Sequence, residues 1–177
     1  MRRPDASRGG PRSPRRPRGF TLVEALVASA LLGLGVAALM VAASSSTRVN
    51  AAGLDMTQAA FLAQEVREWT LRLPFSDPDP GDEGNPPGPD GADPQTFVDD
   101  LDDLMGMTYS PPRNAAGDPI DELSGWSQTI TLEWVDPNAM TTVVSPGGSD
   151  CIRVTVSIQR EGRQVQSTQW LVTRGQS

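Results

Sequence analysis

The sequence predicts an α+β chain in which a long N-terminal helix, membrane-spanning in its first half and amphipathic in its second, packs on a small antiparallel β-sheet. Three observations carry this expectation. Residues 20–43 are almost wholly apolar, apolar side chains then recur at helical spacing to about residue 73, and strict apolar–polar alternation is confined to the last third of the chain.

The chain has 177 residues, enough for one domain and an anchor, since a domain of ordinary size takes about 100–150 residues. Charge is partitioned sharply. Residues 1–19 carry seven arginines against Asp5, a side-chain balance of +6, whereas the remainder carries eight arginines against 21 acids, a balance of −13. A basic flank ahead of an apolar span orients it with the basic end in the cytoplasm. The absence of histidine excludes an imidazole base, a serine–histidine triad and an imidazole-built zinc site. The single cysteine, Cys151, excludes an internal disulfide and a multi-cysteine metal cluster, and reads as a small side chain at the start of a strand. Nothing in the composition implies a cofactor or a catalytic group.

Taken in order, residues 1–19 are rich in proline, glycine and arginine, have no apolar periodicity, and read as a disordered cytoplasmic leader. From Phe20 to Ala43 run 24 residues with Glu24 as the one ionisable group. As a helix this is roughly 36 Å, against a hydrocarbon core of about 30 Å. Ala25, Ala28, Ser29, Gly33 and Gly35 form a small-residue stripe of the kind that lets helices approach closely in lipid. Residues 44–73 continue the helix with an apolar stripe of Leu62, Val66, Trp69 and Leu73, beside Phe61, until Pro74 ends it. Gly53 is a candidate bend.

The remainder, residues 74–177, is expected to hold an acidic loop region and the C-terminal sheet. Residues 74–95 contain seven prolines, four glycines and six acids and read as an excursion. Phe97, Leu101 and Leu104 suggest a short helix over 97–107. Strands are expected over 126–135, where Trp126, Ile130, Leu132 and Trp134 share a parity, and over 151–159, where Ile152, Val154, Val156 and Ile158 do. A two-residue loop at Glu161–Gly162 sets Arg160 opposite Arg163, Ile158 opposite Val165 and Ile152 opposite Leu171. At least three antiparallel strands would then offer an apolar face to the helix.

The segment Arg18–Gly19–Phe20–Thr21–Leu22–Val23–Glu24, at the junction of the basic leader and the apolar run, resembles the signal of type IV prepilins and type II secretion pseudopilins. The amphipathic continuation around residues 61–69, the irregular segment and the short terminal sheet are similar in outline to the minor pilins and minor pseudopilins. The resemblance implies a non-enzymatic subunit, cleaved by a prepilin peptidase between Gly19 and Phe20, N-methylated on Phe20, and inserted into a filament with the help of Glu24. It also implies an inner-membrane protein with a cytoplasmic N-terminus and an extracytoplasmic domain. Its implied partners are the peptidase, other pilin-like subunits met through the N-terminal helix, an inner-membrane assembly platform and lipid. The physical chemistry agrees: glycine leaves the scissile backbone open, and a carboxylate in an apolar span costs a few kcal/mol unless paired, for which a neighbour's Phe20 ammonium is suited.

The main alternative is a plain single-pass anchor carrying an extracytoplasmic binding domain. A conventional secretory cut after Ala28–Ser29–Ala30 would leave a mature end too apolar for a soluble protein, and Arg15–Arg16 sits poorly for a twin-arginine signal. Acid clusters at Asp77, Asp79, Asp82 and Glu83 and at Asp99, Asp100, Asp102 and Asp103 lack the EF-hand spacing and read as solvated loops, with no metal expected. The acidic remainder disfavours nucleic acid as a partner.

Overall fold

The computed structural model describes residues 19–77, 86–90, 93 and 95–175. Residues 1–18 of the leader, Asp79, Asp82 and Glu83 lie outside these. One helix, α1, runs from Leu22 to Arg72, and five strands follow: β1 (Thr108–Tyr109), β2 (Trp126–Asp136), β3 (Ala139–Val143), β4 (Cys151–Arg160) and β5 (Arg163–Thr173). The α+β expectation holds. The helix ends at Arg72, one residue short of the expected Leu73 and two before Pro74, and it continues without interruption through Gly53. The chain divides into two compact units, residues 1–48 and 49–177.

In the first unit every described residue is exposed. The helix is long and apolar enough to cross a membrane, and its polar side chains there are satisfied locally. Ser29 donates to the Ala25 carbonyl at 2.8 Å, Ser44 to Val41 at 2.9 Å and Thr47 to Ala43 at 3.1 Å. Such back-bonding pairs these three hydroxyls within the helix itself. Gly33 and Gly35 face open space, so contacts within the chain do not require their small size.

In the second unit the helix buries Ala59, Leu62, Ala63, Val66, Trp69 and Thr70 on one stripe. The sheet has the order β1-β2-β4-β5, with β3 paired to β2, and all pairs are antiparallel. Trp126, Ile130, Leu132 and Trp134 from β2 and Ile152, Val154, Val156 and Ile158 from β4 meet the helix stripe in one core, joined by Leu101, Leu104 and Tyr109 from the connecting segment. Gln128 shares the buried parity of β2 and is fully enclosed. Its amide nitrogen donates to the carbonyls of Leu62 at 3.1 Å and Arg113 at 3.0 Å, and its oxygen accepts from the Arg113 amide at 2.7 Å. One side chain thus ties helix, sheet and loop together, with every polar atom paired as burial demands. At the near end of the helix Asp55 forms an ion pair with Arg160, whose guanidinium lies 5.5 Å from the centre of the Trp126 ring.

The hairpin differs from expectation in register. The loop is Glu161–Gly162 and Arg160 faces Arg163, but the pairing slips between Ile158 and Gln159, so that Ile158 faces Gln166 and Ile152 faces Val172. The physical reason is the core. The slip turns Trp170 and Val172 toward the helix, whereas an unbroken register would present Gln169 and Leu171. Both Trp170 and Val172 pack against the buried cluster while Leu171 is left 44% exposed. The Trp170 indole then donates to the Thr70 hydroxyl at 3.2 Å, which satisfies the polar end of a half-buried tryptophan.

Two other expectations are corrected. Residues 97–107 form no helix beyond a single 3-10 turn at Asp102–Leu104. The acids Asp99, Asp100, Asp102 and Asp103 are not a solvated loop, since Asp100 is 3% and Asp103 2% exposed. Their carboxylates act as local acceptors: Asp103 takes the amides of Asp99 at 2.9 Å and Asp90 at 3.1 Å, and Asp100 takes those of Asp102 at 2.8 Å and Asp103 at 3.2 Å. Turn amides supply the compensation that water would otherwise give. Gly88 also donates to Asp102 at 3.2 Å, so residues 86–90 fold back onto this turn rather than leave the domain.

This arrangement makes stability depend on pH. Burial, then the neighbouring Asp102, raises the Asp100 carboxyl to about 7; burial, followed by the charges of Asp103, Asp77 and Asp100, raises Asp99 to about 6. An unfolded aspartate titrates near about 3.9. A raised folded value means stability that is complete below the unfolded value and lost as pH rises through about 6 and then about 7. The domain is therefore expected to melt higher near about pH 5 than near about pH 7.5, each kcal/mol moving the midpoint by roughly 4–8 °C. Asp100→Asn, which keeps the acceptor and removes the charge, is expected to flatten that dependence in thermal melts followed by circular dichroism.

Candidate functional site

The candidate site is the N-terminal end of α1. Gly19 and Phe20 precede the helix in irregular backbone, Thr21 caps it, and Leu22 is its first residue. The Thr21 carbonyl accepts the first helical bond from Ala25 at 3.1 Å. The Thr21 amide and hydroxyl both donate to Glu24 Oε2, each at 3.0 Å, and the Glu24 amide donates to the Thr21 hydroxyl oxygen at 3.2 Å. This reciprocal arrangement is a capping box, in which a threonine at the cap and a glutamate three residues on satisfy amides that the first turn leaves without partners. A carboxylate in the first turn also meets the positive end of the helix dipole.

Three consequences follow for the residues singled out in the sequence. Gly19 and Phe20 are both exposed, Phe20 by 81%, and a side chain at Gly19 would meet nothing within 4 Å, so the peptide bond between them is open to a protease. Glu24 is brought beside them: Gly19, Phe20, Thr21 and Glu24 line one shallow groove. All three hydrogen bonds to the Glu24 carboxylate and its hydroxyl partner use Oε2 or the Glu24 amide, which leaves Oε1 without a hydrogen bond among the described residues. That oxygen can meet a cation without dismantling the cap.

Thr21 is the site residue that the sequence reading missed. Its signal was present, because threonine followed three positions later by glutamate at the start of an apolar run is the capping-box pattern. Elsewhere the structure brings Asp90, Asp99 and Asp103 together, with carboxylate oxygens within 4.8 Å of one another. Both oxygens of Asp103 are already taken up by backbone amides of that turn. Cys151 lies 1% exposed at the start of β4, as a small buried side chain.

Residues 14–40 match the family described as the prokaryotic N-terminal methylation motif. The match spans the end of the leader, the capped helix start and most of the apolar run, and it supports the type IV pilin and pseudopilin family. No curated protein matches the chain, and no solved structure does.

Proposed function

We propose that this chain, a carrier of the prokaryotic N-terminal methylation motif on a membrane-length helix, is a minor pilin or pseudopilin subunit. A prepilin peptidase cuts between Gly19 and Phe20 on the cytoplasmic face, the new Phe20 amine is methylated, and the subunit waits in the inner membrane with its domain on the extracytoplasmic side. It then enters a pilus-like or type II secretion filament by packing its helix against those of other pilin-like subunits. Its work is structural, and no step requires a catalytic group of its own.

The observation that carries this reading is the coincidence of the motif with an exposed Gly19–Phe20 bond two residues ahead of a capped apolar helix. A peptidase needs an extended, accessible backbone at the cut and a firm structure beyond it, and the capping box at Thr21 and Glu24 supplies that boundary. The +6 leader and the −13 remainder favour the assigned orientation.

Co-expression with a prepilin peptidase followed by intact-protein mass spectrometry tests it. The expected product lacks residues 1–19 and carries one added methyl group at Phe20. A leader that stays intact in the presence of active peptidase would leave a membrane-anchored domain and remove the subunit reading.

A further inference from the structure

Among the described residues, strand β5 at the outer edge of the sheet has a neighbour on one side only, β4. The Arg174 amide donates to the Asp150 carbonyl at 2.9 Å, next to the pair Cys151–Thr173, and this fixes the phase of the ladder. Hydrogen-bonded and non-bonded pairs alternate along an antiparallel ladder. The even-numbered residues from Gln166 to Val172 therefore bond to β4, while Ser167, Gln169, Leu171 and Thr173 turn their amides and carbonyls outward.

Natural edges are ordinarily blunted by charge, proline, a bulge or short length. From Gln166 to Thr173 this one has none of these. No charged residue or proline occurs between Gln164 and Thr173, and the register slip is confined to the hairpin end beside Ile158 and Gln159. A second feature adjoins it. A groove of about 360 Å³ runs between this edge and α1, floored by Ala60 and Ala63 and bounded by Gln64, Arg67, Gln166 and Trp170. Arg67 is exposed there and makes no ion pair among the described residues.

We propose that β5 is a docking edge for an extended segment of another protein chain, which adds as a further strand and lays alternate side chains in the groove, one of them a carboxylate facing Arg67. Outward main-chain groups two residues apart match the repeat of a strand and of no other common element. The small floor admits side chains of modest size, and the lone cation selects an acid. A second copy of β5 fits less well, since that strand carries no acid to meet Arg67.

The probe is a synthetic capped peptide of about eight residues, a typical strand length, alternating threonine and valine with one central valine replaced by glutamate or by lysine. It is added to the full chain in detergent micelles, with hydrogen exchange read residue by residue. The glutamate peptide is expected to slow exchange at Ser167, Gln169, Leu171 and Thr173, and the lysine peptide to bind about tenfold more weakly, a difference that a single partly desolvated charge pair supplies. Gln169→Pro removes an outward amide but no ladder bond, and is expected to weaken binding by about tenfold or more, while Gln169→Ala leaves it unchanged. Arg67→Glu is expected to reverse the preference between the two peptides. The proposal is overturned if neither peptide slows these amides, or if a Gln169→Pro protein with an unaltered melting profile binds as the parent does. Protection without peptide, accompanied by a dimer in sedimentation that Gln169→Pro dissolves, would assign the edge to a second copy and overturn the occupant named here.

Discussion

Trp69→Ala is expected to destabilise the domain by about 3–5 kcal/mol, the range for removing a large aromatic side chain from a core. Trp69 is 6% exposed and sits where helix, sheet and connecting loop converge. Its ring lies 5.6 Å from that of Tyr109, tilted by 51°, and Gly117 lies close against it. Gly117 has φ +83, and a side chain there would approach Trp69 to 3.0 Å. Gly117→Ala is therefore expected to cost about 1–3 kcal/mol, from a left-handed backbone and from overpacking. In the Trp69→Ala background the crowding disappears and about 1 kcal/mol of backbone cost is left. The two substitutions should be non-additive in a double-mutant cycle, as contacting residues are. Urea unfolding of the four proteins measures this, and a Trp69→Ala loss under about 1 kcal/mol would mean that the loop repacks over the gap.

Local chemistry explains which parts of the fold were legible. The long helix was readable because its two halves announce themselves separately, the first by unbroken apolarity and the second by Leu62, Val66 and Trp69 at helical spacing. Strands β2 and β4 were readable because their core residues alternate. The slip in β5 was not, since its cause lies outside the strand: Trp170 and Val172 are drawn toward a helix some 100 positions earlier, at Thr70. Strands β1 and β3 escaped notice for another reason. The first has two residues, and the second is exposed along its length and has no alternation to read.

Gln128 and the acidic turn show the limit from the polar side. A glutamine among Trp126, Ile130 and Leu132 looks like a break in the pattern, yet it is the residue that pairs with Leu62 and Arg113. Four aspartates in five positions look solvated, yet two of them are buried because the turn amides point at them. Composition cannot foresee this, because it counts charges and not the donors that the backbone will offer. The candidate N-terminal site was legible for the opposite reason. Gly19, Phe20 and Glu24 fall within six consecutive residues and line one groove, so sequence spacing is already spatial proximity.

Under the proposed function, substitutions at Glu24 should separate its two tasks. Glu24→Ala removes both the cap and the charge, whereas Glu24→Gln keeps an oxygen for the Thr21 amide and hydroxyl, as glutamine does at this position of a capping box, and removes only the charge. The cap contributes about 1 kcal/mol to the helix end, too little to unseat a helix of 51 residues. Membrane residence and peptidase cleavage are therefore expected to survive in both variants, with slightly more fraying in Glu24→Ala. Incorporation is a different matter. After cleavage the Phe20 amine of a neighbouring subunit needs an anion inside the apolar layer, and Glu24 Oε1 is the atom left open for it. Losing that partner leaves an ammonium in lipid at a cost of a few kcal/mol, and each 1.4 kcal/mol or so is tenfold. Both variants should thus enter filaments at least about tenfold less than the parent when membrane and sheared-filament fractions are compared. Thr21→Val is the control, because it loses the hydroxyl but keeps the carboxylate, and it should incorporate nearly normally. If Glu24→Gln assembled as well as the parent, the charge would be dispensable and the capping box alone would account for glutamate at this position.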